Sequence, residues 1–332
     1  MTSFGRCFLA CIIGCALTLS APVRVAVAGP AEAALAPTPR ALSPTVWYFE
    51  GASAMASPAN RGFTSNAGFV VTPAGVVVFD ALGTPALAEA MLNAIRRVTP
   101  QPIRYVILSH YHADHFYGLQ VFKAAGATIW ARSEGRQYLA SDLARERLAQ
   151  RQRDLSPWVN DQTQLVPADR WLDFPTAQPI PFELGGTRFE LISGGNSHAP
   201  GDLMLLIPDQ SVLFAGDLFF TGRLPFVVDG NTREWLAALS RIEHSAPRIV
   251  VPGHGSVSLH VTEDLKATRT YLEFLRAQLG AAVEDLQSFD EAYAAIDWSE
   301  FAGLPTFDVA NRRNAYSVYL EMQAEMLGGA PH

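Results

Sequence analysis

Apolar residues along this chain come mostly in short runs broken by Gly, Pro, Asn and Asp, a pattern that predicts many short strands. Runs at 46–50, 68–72 and 76–79 read as β-rich, and 84–98 carries its apolar residues at helical spacing. A further apolar run at 105–108 leads into a polar cluster. Beyond it, 129–131 reads as a strand and 133–153 as a charged helical stretch. A second β-rich set follows at 182–192, 203–208 and 212–214, with 249–251 as a later strand-like run. Helices are predicted at 232–244, 262–279 and 309–327. In 262–279, Thr262 fits an N-cap, Glu263 and Asp264 the first turn, and Gly280 the position just past the end. Its Leu265, Leu272, Leu275 and Leu279 fall on one side and favour a core role. The last stretch could pack on the body or reach a partner, and the pattern does not choose.

The first residues follow a different rule. Arg6 precedes an apolar run over 7–21, then Pro22 and Ala26-Val27-Ala28, which fits a small-residue cleavage site. That run is about fifteen residues, short of the roughly twenty a membrane-spanning helix needs. Residues 1–28 are therefore expected to be a signal peptide cut after Ala28, delivering the chain to the periplasm or the exterior. Ile12-Ile13-Gly14-Cys15 also loosely resembles a lipoprotein box, yet the residues after Cys15 stay apolar to Ala21. Residues 29–44 are rich in Pro and Ala and read as a linker, and 45–332 as one domain.

Cys7, Cys11 and Cys15 are the only cysteines and all lie in the leader, so the mature chain has no disulfide, thiolate ligand or Cys nucleophile. Losing 1–28 removes Arg6 and Arg24 and no acid, taking the formal charge from −7 to −9. With Lys123 and Lys266 as its only lysines and no arginine-rich stripe, such a chain repels nucleic-acid phosphates. A small-molecule substrate is the expectation, with no nucleic acid.

The polar cluster after 105–108 is Ser109-His110-Tyr111-His112-Ala113-Asp114-His115. Three imidazoles and a carboxylate at the end of a strand are metal-ligand chemistry. Later segments supply His198 in Gly194–Asp202, Asp217 in Phe214-Ala215-Gly216-Asp217 and His254 in Pro252-Gly253-His254-Gly255, each expected at a strand end or turn. His244, His260 and His332 join no such cluster.

This order and spacing resemble the metallo-β-lactamase-fold superfamily, whose His-x-His-x-Asp-His motif is followed by a lone His, a bridging Asp and a final His. The resemblance implies an α/β, four-layer αββα sandwich with metals at the edge where two β-rich halves meet. It implies one metal on His110, His112 and His198, a second on Asp114, His115 and His254, and Asp217 between them. Two Zn²⁺ are expected, though His and Asp donors also accept iron or manganese. Metals about 3.5–4 Å apart can share a hydroxide and polarise the bond it attacks, with Asp114 orienting it and moving a proton. Asp80, closing the run 76–79, matches a position that orients the metal-binding loop without ligating; an ordinary turn-making Asp is its alternative.

Residues 52–67, with Arg61 and Phe63, resemble the flap that closes over substrate, and Arg223 is a candidate clamp for a substrate carboxylate. Residues 156–171, with Trp158 and Trp171, either line the cleft or simply pack. Asp217 stands where the commonest zinc β-lactamases place Cys, and no basic cluster follows His254 as in glyoxalase II enzymes. The stretches Arg61–Phe69 and Gly216–Arg223 are similar to exported SoxH-like and quinoprotein-relay zinc metallohydrolases. The implied function is an exported dinuclear zinc hydrolase of an ester, thioester or amide-like bond. Two alternatives stand: a mono-iron persulfide dioxygenase-like oxidoreductase, or a non-catalytic accessory protein with a partner in a periplasmic sulfur or quinoprotein redox system.

Overall fold

The computed structural model describes residues 1–2, 37–227 and 229–328, so the expected signal peptide, its cleavage site and Cys15 lie outside the described residues. Alternation within the strands explains the architecture. In β4 (Gly75–Phe79), every residue is buried, yet Val76 and Val78 join one core while Val77 and Phe79 join another. In β11 (Val212–Phe220), Leu213 and Ala215 face a third core, whereas Val212 and Phe214 share the core of Val77 and Phe79. Strands buried on both faces need cover on both sides, and period-two alternation divides their side chains between two cores.

The outcome is the expected four-layer αββα sandwich. One sheet has seven strands in the order β1 (Arg40–Ala41), β2 (Val46–Phe49), β3 (Ala67–Thr72), β4, β5 (Ile103–Ile107), β6 (Thr128–Arg132) and β7 (Arg170–Leu172). Its first four strands pair antiparallel and β4 to β7 parallel. The other sheet runs β12 (Ile249–His254), β11, β10 (Asp202–Ile207), β9 (Thr187–Gly195), β8 (Ile180–Leu184), with β11 and β12 parallel.

On the first sheet's outer face lie α1 (Pro85–Val98), capped by Thr84 Oγ1 accepting from the Leu87 N–H, and the short α2 (Ala113–Phe116) and α3 (Leu119–Ala124). The second sheet is covered by α6 (Thr232–Ser245), α7 (Val261–Glu284) and α9 (Phe307–Met326), with α8 (Phe289–Ala295) against the last two. Among the described residues no helix is long and apolar enough to cross a membrane.

Several boundaries differ from expectation, each for a physical reason. Arg40–Ala41, expected as linker, pairs antiparallel with Tyr48 and Trp47 as an edge strand. The charged stretch 133–153 forms two helices, α4 (Gly135–Ala140) and α5 (Asp142–Asp154), divided at Ser141, whose Oγ caps the second by accepting from the Ala144 N–H. α7 begins at Val261 rather than after a Thr262 cap and runs through Gly280 to Glu284. Burial of Leu279, Ala282 and Val283 outweighs the roughly 1 kcal/mol that a mid-helix Gly costs.

Candidate metal centre

The ligand residues converge from four places. His110 and His112 sit in the loop after β5, and α2 turns Asp114 and His115 inward. His198 lies between β9 and β10, and His254 closes β12. Asp217 was expected on a turn beyond 212–214, but β11 continues through it to Phe220. The strand stays aligned by bulging. Its pairing with β12 slips on both sides of Gly216, which adopts φ +55, a left-handed conformation that favours glycine. A Cβ there would lie 2.8 Å from the Ser109 Cβ, and one on Gly253 would fall 1.9 Å from Asp217 Oδ1. Both glycines let backbone close around the carboxylate.

Two groups of donor atoms result, His110, His112, His198 and Asp217 in one and Asp114, His115 and His254 in the other, each with its atoms within 4.8 Å of one another. Asp217 reaches both: Oδ2 is 3.2 Å from His198 Nε2 and 3.3 Å from His254 Nε2, while Oδ1 is 3.2 Å from His115 Nε2. Asp114 Oδ2 lies 3.3 Å from His254 Nε2 and 3.8 Å from His115 Nε2.

The outer nitrogens explain how the inner ones are prepared. His115 Nδ1 lies 2.8 Å from Asp80 Oδ2, His198 Nδ1 2.8 Å from the Phe226 carbonyl, and His254 Nδ1 2.7 Å from the Thr64 carbonyl. Each of these nitrogens must donate, so in the neutral ring that a cation binds the lone pair lies on Nε2. His112 is the reverse, with Nε2 3.1 Å from Asp229 Oδ2 and Nδ1 facing His198 Nε2 at 2.9 Å. Ser109 Oγ donates to Asp80 Oδ2 at 2.8 Å and accepts from His110 Nδ1 at 2.9 Å. His110 Nε2, His115 Nε2 and Asp217 Oδ1 are buried without a hydrogen-bond partner. Buried acceptors left unpaired and aimed at common points are what cations require, so the residues fit a metal pair.

Electrostatics agree with a cation site. Burial pushes the His110 imidazole well below its usual range and His198 down to about 4, so both are neutral donors near pH 7. Burial opposes the charge of Asp217, but His254, His115 and His198 outweigh it and hold the carboxyl well below the carboxylate range. Around His115, Asp217, Asp114 and Asp80 overcome burial and raise it well above the histidine range. That is the pull of three carboxylates on any cation placed there.

Asp80 sits at φ +61 and is 1% exposed, accepting from the Ser109 N–H at 2.7 Å, the Ser109 hydroxyl and His115. It connects both donor groups, through Ser109 to His110 and directly to His115. Further positioning residues carried no role in the sequence reading. Asp202 Oδ2 accepts from the backbone of Ser197, His198 and Ala199 at 3.2, 2.7 and 3.0 Å, and burial raises its carboxyl to about 7. Asn66 donates to the carbonyls of Pro252 and Gly255 at 2.9 and 2.8 Å, fixing the His254 turn. Asp229 accepts from His112, which together with Arg147 holds it near 2 against the opposing effect of burial. Asp202 and Asn66 lie inside quoted motif stretches; Asp229 carries no local signal.

A cavity of about 450 Å³ opens over the donors. Arg223 lines it, 5% exposed, with Nη1 3.2 Å from His254 Nδ1 and its guanidinium 5.4 Å from the Phe226 ring centre. Since His254 Nδ1 donates to Thr64, the Arg223 contact is no hydrogen bond, and its Nε has no partner. Two expected cleft residues lie elsewhere. Arg61, at φ +57, stacks 4.7 Å over Trp158, and Phe63 packs into the core beneath α1; the flap lines the cavity through Ala54–Ala56, Gly62 and Thr64 instead. Trp158 donates to the Pro58 carbonyl and Trp171 stacks on Tyr111, so both pack. A further part of the wall comes from Arg147 and Arg151 of α5 and Arg313 of α9.

A model of the metallo-beta-lactamase superfamily matches residues 60–254, the span that holds every one of these donors. The chain belongs to that superfamily. It is 20% identical over 199 residues to metallo-beta-lactamase IND-1 of Chryseobacterium indologenes, covering 58% of this chain and 73% of that protein. It is 27% identical over 182 residues to the 2,4-dinitroanisole O-demethylase subunit alpha of Nocardioides sp., covering 54% of this chain and 49% of the other. Among solved structures, the sec-alkylsulfatase Pisa1 of Pseudomonas sp. superposes with a TM-score of 0.66 at 17% identity, covering 89% of this chain and 55% of that one. A metallo-beta-lactamase from Pontibacter korlensis gives 0.54 at 21%, covering 71% and 99%. The chain thus spans about half the length of the demethylase subunit and of the sulfatase. It is a member of this superfamily whose matched relatives include hydrolases, and it carries a His/Asp cluster that can bind metal ions.

Proposed function

We propose that the protein is a two-zinc hydrolase that cleaves an ester, thioester or amide-like bond of a small, negatively charged substrate. The observation that carries this is Asp217, whose Oδ2 reaches His198 of one donor group and His254 of the other while Oδ1 faces His115, each imidazole held by an acceptor behind it. When bound, the metal pair supplies a water of lowered pKa and Lewis-acid stabilisation of developing negative charge.

The chain's own residues divide the remaining work. Asp114 and Asp217 both line the cavity, and Asp114, 24% exposed at the side chain against 5%, is the more open of the two. It takes the proton of the attacking water and returns it to the leaving group, a role contributing about 10²–10⁴-fold. Arg223, its donors unspent, holds the substrate's anionic group by a bidentate contact. Export through residues 1–28 is part of the proposal, supported by the leader pattern and by the confinement of all cysteines to it.

The test is a panel of esters, thioesters and β-lactams with the zinc-loaded chain and its Asp114→Asn variant. The proposal expects turnover on part of the panel and a fall of about 10²-fold or more in the variant, with at least one metal retained. Turnover near wild type refutes the role of Asp114, and an inert wild type refutes the hydrolase reading.

A further inference from the structure

Among the described residues, α9 has an inward apolar face buried in the core and an outward apolar stripe that stays about half exposed, its Tyr316 packed edge-on against Phe289 at 4.9 Å. Inward, α9 buries Ala310, Ala315, Val318 and Met322 against the second sheet's outer core. Outward, Val309, Tyr316 and Leu320 are 47%, 49% and 45% exposed, at spacings of seven and four that put them on one stripe with Arg313. Exposed apolar side chains that adjoin one another, rather than lying scattered, can form the floor of a binding groove. Here they line an open groove of about 960 Å³.

That groove is continuous with the metal cavity. Met55, Phe226 and Arg313 line both spaces. Phe226 is fixed at the threshold because its carbonyl accepts from His198 Nδ1 at 2.8 Å, and its ring carries Arg223. Arg312 also lines the groove, with its charge paired to Asp290 at 2.7 Å and its guanidinium stacked 5.1 Å over Phe289. Arg223 and Arg313 therefore stand at the cavity end, while beyond the threshold the apolar stripe of Val309, Tyr316 and Leu320 shares the groove with Asp308 and the Arg312–Asp290 pair.

We infer that the substrate is an amphiphile, whose polar end lies among the metal donors and Arg223 and whose unbranched apolar chain leaves past Phe226 along the outer stripe of α9. The inference relies on the hydrolase reading only for where the scissile bond lies. A chain half-covered by an open groove gains about 2- to 4-fold in affinity per methylene.

The test titrates the purified full chain calorimetrically with straight-chain carboxylates from butyrate to decanoate, alongside a Val309→Glu/Leu320→Glu variant altered only at exposed positions. Expected is a Kd that falls about 2- to 4-fold per added methylene in the wild type and a flattened dependence in the variant. A flat wild-type series, or a dependence the variant leaves intact, overturns the inference. So does a variant that converts a dimer to a monomer without altering the dependence, since the stripe would then cover a second copy of this chain. Nitrophenyl esters of the same lengths separate the two claims. Length-dependent binding without cleavage keeps the groove and sinks the hydrolase reading, and cleavage with length-independent binding does the reverse.

Discussion

Replacing Asp80 by Asn changes one buried atom and should disable half of the metal centre. The variant keeps the shape, and Asn tolerates φ +61 better than most residues. Its remaining oxygen can still accept from the Ser109 N–H, now made at 2.7 Å. The new amide nitrogen, however, faces two donors, the Ser109 hydroxyl and His115 Nδ1, each at 2.8 Å. The hydroxyl can rotate, but the imidazole can only move its proton to Nε2 and so lose the lone pair aimed at Asp114 and His254. Each charge-assisted bond is worth about 1.5–3 kcal/mol, while the variant also relieves the burial that raises the Asp80 carboxyl. Metal-free stability should therefore fall by no more than a few kcal/mol. Affinity at the Asp114, His115 and His254 group should fall about 10–100-fold, as for other residues that orient ligating histidines. The His110, His112 and His198 group should hold, because Ser109 Oγ still accepts from His110. Competition against a chromophoric chelator would resolve one weakened and one intact site per chain. Two sites of unchanged affinity, or loss of both together, would refute this account of Asp80.

Asp202→Ala removes the acceptor of three consecutive N–H groups and should loosen the His198 loop, weakening the His198 site about 10–100-fold in the same competition assay. Asp229 gives a pH-dependent prediction: its folded value near 2 lies below the unfolded value of about 4, so its contribution is complete above about pH 5 and lost as pH falls through 2. The stability difference between wild type and Asp229→Asn should shrink as pH falls from about 5 towards 2 in urea unfolding series; a difference independent of pH over that window would show the His112 contact to be inert.

The donor residues were legible because each of their segments departs from strand alternation at a recognisable place, and metal chemistry restricts the residue types. The surroundings of Asp217 were less so. A turn was expected after 212–214, but Gly216 bulges the strand and lets it continue, and one glycine does not announce whether a strand ends or bends. Gly280 misled for the same reason, since the contacts of Leu279 and Val283 that carry α7 past it are long-range. Arg61 was read from its neighbourhood in a flap, whereas its partner Trp158 lies 97 positions away in sequence. The wall of Arg147, Arg151 and Arg313 belongs to two helices that look like ordinary charged surface until the fold brings them to one opening.

The central claim, that two donor groups share Asp217 and hold a zinc pair, is tested most directly by metal content. Plasma mass spectrometry on the mature, untagged chain, purified without added metal, should give two zinc ions per chain. One iron per chain would contradict the account and favour oxygen chemistry on a sulfur substrate.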